Sequence, residues 1–156
     1  MVRTVASITL AFGLTAGAAM AAGNSVAAGA EMETQKECST CHMAYPPEFL
    51  PARSWRKIMG NLANHFGENA ALSETARADI EAYLIANAGD SPAAPDGPVF
   101  VNDIPADATP LRITDTPAWN RVHGEVPDSF FTSSKVKSKA NCLGCHTEGG
   151  SDQNGG

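Results

Sequence analysis

Apolar side chains recur at three- and four-residue intervals in the middle of the chain, which predicts an amphipathic helix. The stripe consists of Trp55, Ile58, Met59, Leu62, His65 and Phe66. Ser54 is placed to cap the start of this helix, and Gly67 is placed to end it after His65 or Phe66. Because His65 borders the apolar stripe, we expect its imidazole to reach a buried pocket.

Two more helices are predicted in the same half of the chain. Residues 30–37 suit a short helix, and a longer one is expected to run from a Ser73 cap to about Ala88. The longer helix has one apolar face, formed by Ile80, Tyr83 and Leu84. The proline-rich stretch 45–51 predicts an extended loop, because proline fixes its own φ and restricts the residue before it. The pattern therefore predicts a mainly α fold.

The rest of the chain has a weaker pattern. Residues 90–110 contain five prolines among small and acidic residues, which predicts a linker, with a short extended piece at Val99–Val101. Beyond the linker three short elements are predicted: a strand at 111–113, helical turns at 119–123 capped by Thr116 or Asp115, and a helix at 136–142.

The first 21 residues have the pattern of a secretory signal peptide. Arg3 supplies the positive start, an apolar run follows, and Ala19-Met20-Ala21 suits a cleavage site. The apolar run is shorter than the roughly 20 residues that span a bilayer, although an uncleaved anchor is the alternative. We therefore expect a soluble protein exported to the periplasm and not embedded in the membrane after cleavage.

The chain is acidic, with a formal net charge of −6 that becomes −7 once the signal peptide and its Arg3 are removed. This balance argues against nucleic acid as a partner, because phosphates require a basic surface. It suits a partner with a positive docking patch, since complementary fields raise the rate of encounter. The alternative is that the acidity only keeps the protein soluble.

The four cysteines of the chain form two C-x-x-C pairs, and a histidine follows each pair directly. The two motifs are Cys38-Ser39-Thr40-Cys41-His42 and Cys142-Leu143-Gly144-Cys145-His146. C-x-x-C-H is the attachment signature of c-type haem. Two thiols at this spacing match the two vinyl groups of one haem, and the next residue then lies beneath the iron. The sequence thus predicts two covalently attached haems, with His42 and His146 as proximal ligands.

Three other interpretations of the cysteines are less favourable. A tetrahedral zinc site uses paired cysteines, but these pairs lie about 100 residues apart and zinc needs no histidine after each pair. A thioredoxin-like redox pair is expected beside a β-α-β pattern, which the sequence lacks. Disulfides across a three-residue spacing would close very small loops and stabilise little.

Two further histidines, His65 and His123, match the number of sixth ligands that two irons need. One follows the first haem motif and the other precedes the second, so bis-histidine ligation of both haems is predicted. Met59 is the competing ligand for the first haem, because it shares the stripe with His65 and His/Met ligation is common in cytochromes c. The second segment contains no methionine. Whether each distal histidine serves the haem of its own segment stays open.

Three blocks of the sequence resemble the dihaem cytochrome c family of bacteria. They are CSTCHMAYPPEFLPARSWRKIMGNLANHFGENAALS at 38–73, PLRITDTPAWNRVHGEVP at 110–127 and SKANCLGCH at 138–146. The resemblance implies a class I-like N-terminal haem domain with a smaller, irregular C-terminal haem domain packed close by. It also implies that His65 and His123 are the distal ligands, and that partners are other redox proteins, such as membrane b-type or soluble c-type cytochromes.

These observations predict two small haem-binding domains in a mainly α protein. The N-terminal domain is expected at residues 30–89, the linker at 90–110, the C-terminal domain at 111–150 and a disordered tail at 151–156. The predicted function is one-electron transfer between redox partners, without substrate turnover, because two six-coordinate irons leave no open position. The alternative is a haem with an open or labile site that binds or reduces a small ligand, as in a peroxidase.

Overall fold

The computed structural model describes the backbone of residues 18–146 and the side chains from residue 28 onward. Most of the predicted signal peptide and the whole predicted tail lie outside the described residues. Residues 18–146 form helices and turns without a named strand, so the predicted mainly α fold is confirmed. None of the described helices is long and apolar enough to cross a membrane.

The described helices are short after the first one. They are α1 (Ala18–Cys38), α2 (Ala52–Met59), α3 (Glu74–Ala86), α4 (Gly97–Val101), α5 (Pro117–His123) and α6 (Asp128–Phe131). Single 3-10 turns lie at Pro47–Phe49, Leu62–Asn64, Ile113–Asp115 and Cys142–Gly144. We refer to residues 28–89 as the first half and to residues 111–146 as the second half.

The hydrophobic core lies in the first half, where α3 packs against both α1 and α2. Its buried members are Leu50, Trp55, Met59, Ile80, Leu84 and Ala88. The indole N–H of Trp55 donates to the carbonyl of Pro47 at 2.7 Å, which satisfies its polar atom inside this apolar cluster. Burying a side chain of this size stabilises a fold by about 1.5–3 kcal/mol.

The helix α2 differs from the prediction at both ends. It begins after Pro51, whose φ of −71° and ψ of 156° place it as the residue before the first turn. Ser54 therefore lies inside the helix, fully buried and without a hydrogen-bond partner for its hydroxyl. The helix ends at Met59 instead of at His65, because Asn61 leaves the helical region at φ −140° and ψ 39°. His65 consequently belongs to a turn.

Two other predicted caps are confirmed. The Ser73 hydroxyl accepts a hydrogen bond from the amide of Ala76 and starts α3, which ends at Ala86. The Thr116 hydroxyl accepts from the amide of Trp119 and starts α5. The latter helix carries His123 as its last residue, and Gly124 follows as its C-cap.

Three short predicted elements take other forms. Residues 99–101 are the end of α4 and not an extended piece. Residues 111–113 form no strand among the described residues, since Ile113 begins a 3-10 turn. Residues 136–141 are irregular, with Lys137 at a φ of +68° that interrupts any helix.

The proline-rich segment 90–110 packs onto both halves. Gly89, the residue just before the segment, lies in a space without room for a side chain, because an added Cβ would collide with the Glu48 carbonyl and the Val101 side chain. The Phe49 and Phe100 rings lie 4.6 Å apart, and Arg53 donates to the carbonyl of Ala108 at 2.7 Å. Helix α4 also packs against α5, so the segment connects the halves through contacts as well as through the backbone.

Candidate cofactor sites

The first C-x-x-C-H motif begins where α1 ends. Cys38 is the last residue of α1, and the amide of Ser39 still donates to the carbonyl of Gln35 at 3.2 Å. Cys41 and His42 follow in the turn beyond the helix. The His42 ring lies 6.2 Å from the His65 ring, measured between centroids, with 29° between the ring planes. The fold therefore brings together the predicted proximal and distal ligands of the first haem.

His65 stands at one corner of a two-residue turn. Its amide donates to the carbonyl of Glu68 at 2.7 Å, and the Glu68 amide donates back to the His65 carbonyl at 3.1 Å. The two central residues, Phe66 and Gly67, have φ values of +54° and +103°. Positive φ at both central positions defines a type I′ turn, in which a bulky residue such as Phe66 is strained.

A contact from the second half offsets part of the strain at Phe66. The Arg112 guanidinium lies over the Phe66 ring, 4.1 Å from its centroid. Phe66 also packs edge-on against the His65 ring, with 4.8 Å between the centroids. A cation over an aromatic face stabilises by about 0.5–1 kcal/mol at exposed sites, which offsets part of the roughly 1–3 kcal/mol that a strained residue costs. Arg112 thus helps to hold the turn that presents His65.

The surroundings of His65 favour its neutral form. Partial burial lowers the pKa of His65 below its usual value, and the nearby His42 and Arg112 side chains lower it further. A neutral imidazole keeps a nitrogen lone pair, which a metal ligand requires. The surroundings of His65 therefore favour a neutral imidazole that can bind a metal cation over a protonated ring.

The predicted proximal ligand, His42, is oriented by two neighbours. Its Nδ1 lies 2.6 Å from the carbonyl oxygen of Met43, which assigns the Nδ1 proton to this hydrogen bond and leaves the Nε2 lone pair available. The Tyr45 ring stacks on the imidazole, with 4.8 Å between centroids and 19° between planes. Burial raises the pKa of Tyr45 to about 12, with a smaller contribution from the Cys142 thiol.

The second pair joins the end of α5 to the second motif. The His123 and His146 rings lie 5.9 Å apart between centroids, with 85° between their planes. His123 Nδ1 is 3.2 Å from the Trp119 carbonyl, and the Trp119 ring stacks on the imidazole at 4.7 Å. Lys139 also contacts this site. Its ammonium lies 5.4 Å from the centroid of the Trp119 ring and forms an ion pair with Asp128 at 2.9 Å.

The second C-x-x-C-H motif is a single tight turn. Residues Cys142–Gly144 form a 3-10 turn, and the amide of His146 donates to the Cys142 carbonyl at 2.8 Å. The Asn141 side chain fixes the approach to this turn by donating to the Val136 carbonyl at 2.8 Å. None of the four cysteines, all of which the structure describes, is in a disulfide. Burial raises the pKa of the Cys38 and Cys142 thiols, so both are protonated at neutral pH.

The spacing of both histidine pairs fits a metal ion between them. An ion bound about 2 Å from one nitrogen of each of two facing imidazoles would hold their ring centroids roughly 6 Å apart. The two measured separations are 6.2 and 5.9 Å. In each pair, both histidines come from the same half of the chain. Met59, the competing ligand, is 3 % exposed and belongs to the apolar core.

Sequence reasoning placed Phe66 in the apolar stripe beside His65, but it did not identify Arg112 or the contacts through which Phe66 and Tyr45 shape these sites. Arg112 and Phe66 control the His65 turn, and Tyr45 joins the two sites through a contact described below. The only signal for Tyr45 is its position, three residues after His42. Arg112 has no local signal, because its contact with Phe66 depends on how the two halves pack.

Comparison with known proteins places these sites in a familiar context. A family model described as dihaem cytochrome c matches residues 34–153. Among solved structures, diheme cytochrome c from Rhodobacter sphaeroides is similar, with 46% identity over 73% of this chain and 88% of that one, at a TM-score of 0.65. The diheme cytochrome from Shewanella baltica OS155 is 37% identical over 75% of this chain and 80% of that one, at a TM-score of 0.59. No curated protein matches.

Proposed function

Because the chain belongs to the dihaem cytochrome c family, a family of electron-transfer cytochromes, we propose that it is a periplasmic one-electron carrier with two closed bis-histidine haems. Two c-type haems are covalently bound in this family, and the two C-x-x-C-H motifs supply the four thiols. In this proposal Cys38 and Cys41 attach the first haem, and Cys142 and Cys145 attach the second. The bound haem supplies an iron that alternates between the ferric and ferrous states.

The observation that carries the proposal is the spacing of the two histidine pairs. His42 and His65 would hold one iron, and His123 and His146 would hold the other, at separations of 6.2 and 5.9 Å. Two protein ligands on each iron leave no position for a substrate, so the residues of both sites favour electron transfer over chemistry on a bound molecule. Imidazole pairs without a methionine ligand also favour low midpoint potentials.

The partners in this proposal are other redox proteins, such as membrane b-type or soluble c-type cytochromes. The acidic chain would dock on a positive surface of such a protein, because complementary fields increase the encounter rate. Docking of this kind weakens as salt increases, since exposed charges more than about 10 Å apart are screened at 0.1 M ionic strength. Export to the periplasm follows in the proposal from the sequence pattern of residues 1–21.

Visible spectra of the haem-loaded protein, with and without carbon monoxide, test the proposal. We expect low-spin spectra in both oxidation states that carbon monoxide does not change, and no methionine–iron charge-transfer band. These results follow if histidines occupy both axial positions of each iron. A clear spectral shift of the reduced protein with carbon monoxide would contradict the proposal and favour a ligand-binding or peroxidase-like function.

A charge variant near His65 tests the assignment of the first haem. Replacing Arg112 by glutamine is expected to lower the midpoint potential of that haem by an amount on the order of tens of millivolts, because a nearby positive charge destabilises the ferric state. The second potential should not change. Spectroelectrochemical titration measures both potentials in the same sample.

The matched control is Arg77→Gln. It removes the same charge from α3, where Arg77 pairs with Glu74 at 2.6 Å. If both variants shift the midpoint potential of the first haem equally, the effect depends only on the net charge of the protein. That result would contradict the placement of a haem beside Arg112.

A further inference from the structure

The Tyr45 side chain reaches from one candidate haem site to the other. Its ring stacks on the imidazole of His42, the proximal histidine of the first motif, at 4.8 Å between centroids. Its hydroxyl donates to the carbonyl of Ala140 at 2.7 Å, across a sequence separation of 95 residues. Ala140 lies two residues before Cys142, the first cysteine of the second motif. One side chain therefore contacts the first site and the approach to the second.

The loop that Tyr45 contacts, residues 133–145, is otherwise tied mainly to itself. Within the described residues, its other hydrogen bonds run between its own members, as from Lys137 to Ser133 and from Asn141 to Val136, or to the adjoining α6 and His146. The Lys139–Asp128 ion pair also stays inside the second half. Among the described residues, the hydrogen bond from the Tyr45 hydroxyl to the Ala140 carbonyl is the one that connects this loop to the first half.

The loop also lacks a regular element that would hold it in place. Lys137 has a positive φ, and residues 133–141 form turns without a helix or strand. Val136 is its buried anchor, at 4 % exposure. Before Cys142, where the haem attaches in the proposal, residues 133–141 have this one apolar anchor, so this part of the loop opens locally at low cost and a hydrogen bond from outside affects its position.

We propose that Tyr45 is a positioning residue that holds the second haem's attachment loop against the proximal side of the first haem, and so sets the rate of electron transfer between the two haems. This inference rests on the proposed function. In the step concerned, one electron leaves the ferrous haem, which becomes ferric, and reduces the ferric haem, which becomes ferrous. Tyr45 is neither oxidised nor deprotonated. Its ring and hydroxyl maintain the contact between the two sites.

The test compares Tyr45→Phe with Tyr83→Phe in the haem-loaded protein. The chain has two tyrosines, and Tyr83 is a half-buried residue of α3 that packs against the core. Tyr45→Phe keeps the stacking on His42 and removes only the hydroxyl. We expect amide hydrogen exchange at residues 138–142 to become about five-fold faster in this variant, as the loss of one ordinary hydrogen bond predicts. We expect Tyr83→Phe to leave exchange there unchanged.

The second measurement is the inter-haem rate after photoreduction to the one-electron-reduced state. We expect this rate to fall several-fold in Tyr45→Phe and to stay at the wild-type value in Tyr83→Phe, with the midpoint potentials unchanged. A wild-type rate in Tyr45→Phe would overturn the inference, and so would equal losses in both variants or a loss explained by altered potentials. Failure of the proposed function is separate, because it appears as carbon monoxide binding by the wild-type protein.

Discussion

Replacing His65 by alanine is expected to open one of the two haems to carbon monoxide and to leave the other closed. The imidazole lies 6.2 Å from that of His42 on a turn that other residues hold in place. Met59, the nearest candidate for a replacement ligand in the sequence, is buried in the apolar core and would have to leave it. About half of the reduced haem should therefore show the spectral change of a carbon monoxide complex.

The matched variant is His123→Ala, which should open the other haem. The two variants can be told apart by electron paramagnetic resonance, because the ring planes differ by 29° in the first pair and by 85° in the second. Nearly parallel imidazoles give an ordinary rhombic low-spin signal, whereas perpendicular ones give a single feature at lower field. His65→Ala should remove the rhombic signal, and His123→Ala should remove the low-field feature.

A third substitution, His65→Met, sharpens this prediction. If methionine binds in place of the imidazole, the midpoint potential of the first haem should rise by an amount on the order of 0.1 V, because a thioether ligand favours ferrous iron. The prediction is contradicted if His65→Ala leaves both haems closed to carbon monoxide, or if both haems open together.

The second large effect is expected when the second haem loses its attachment. Replacing Cys142 and Cys145 by serine should give a protein with one covalent haem and a loosened second half. The second half has few buried apolar side chains, namely Ala118, Phe131 and Val136. So little burial does not stabilise a segment of this size by itself. We therefore expect amide protection in residues 117–146 to fall strongly while that of α3 persists.

Cys38→Ser with Cys41→Ser is the control for this prediction. The first half has the larger core, so losing its haem attachment should cause only a small loss of amide protection in α2 and α3. This loss should be smaller than the loss in α5 that the Cys142 and Cys145 variant shows. Mass spectrometry counts the covalent haems and hydrogen exchange locates the change. Full protection of residues 117–146 in the Cys142 and Cys145 variant would contradict the prediction.

Much of the site was predictable because its signals are local. A C-x-x-C-H motif carries its whole attachment chemistry within five residues, and a serine or threonine cap acts within three, as at Ser73 and Thr116. The family resemblance, which rests on blocks around these motifs, is confirmed by the match to residues 34–153. The ligand roles of His65 and His123 stay predictions that their spacing supports.

The parts that were not predicted depend on contacts between distant residues. The apolar stripe suggested one helix from Ser54 to His65, yet Asn61 ends the helical region and His65 lies on a turn. The spacing of apolar residues does not show where the helix ends, because side chains of the turn that follows also pack against the core. The same holds for Phe66, whose positive φ is partly compensated by Arg112 from the other half.

The rigid support of the histidines has a consequence for the speed of electron exchange. The amide and the carbonyl of His65 are both hydrogen-bonded to the Glu68 backbone, and stacked aromatic rings hold His42 and His123. If these histidines bind iron as proposed, ligands held this firmly would change their bond lengths little when the iron gains or loses an electron. The reorganisation energy of each haem should therefore be small, and fast exchange with a partner would require only a small difference in potential.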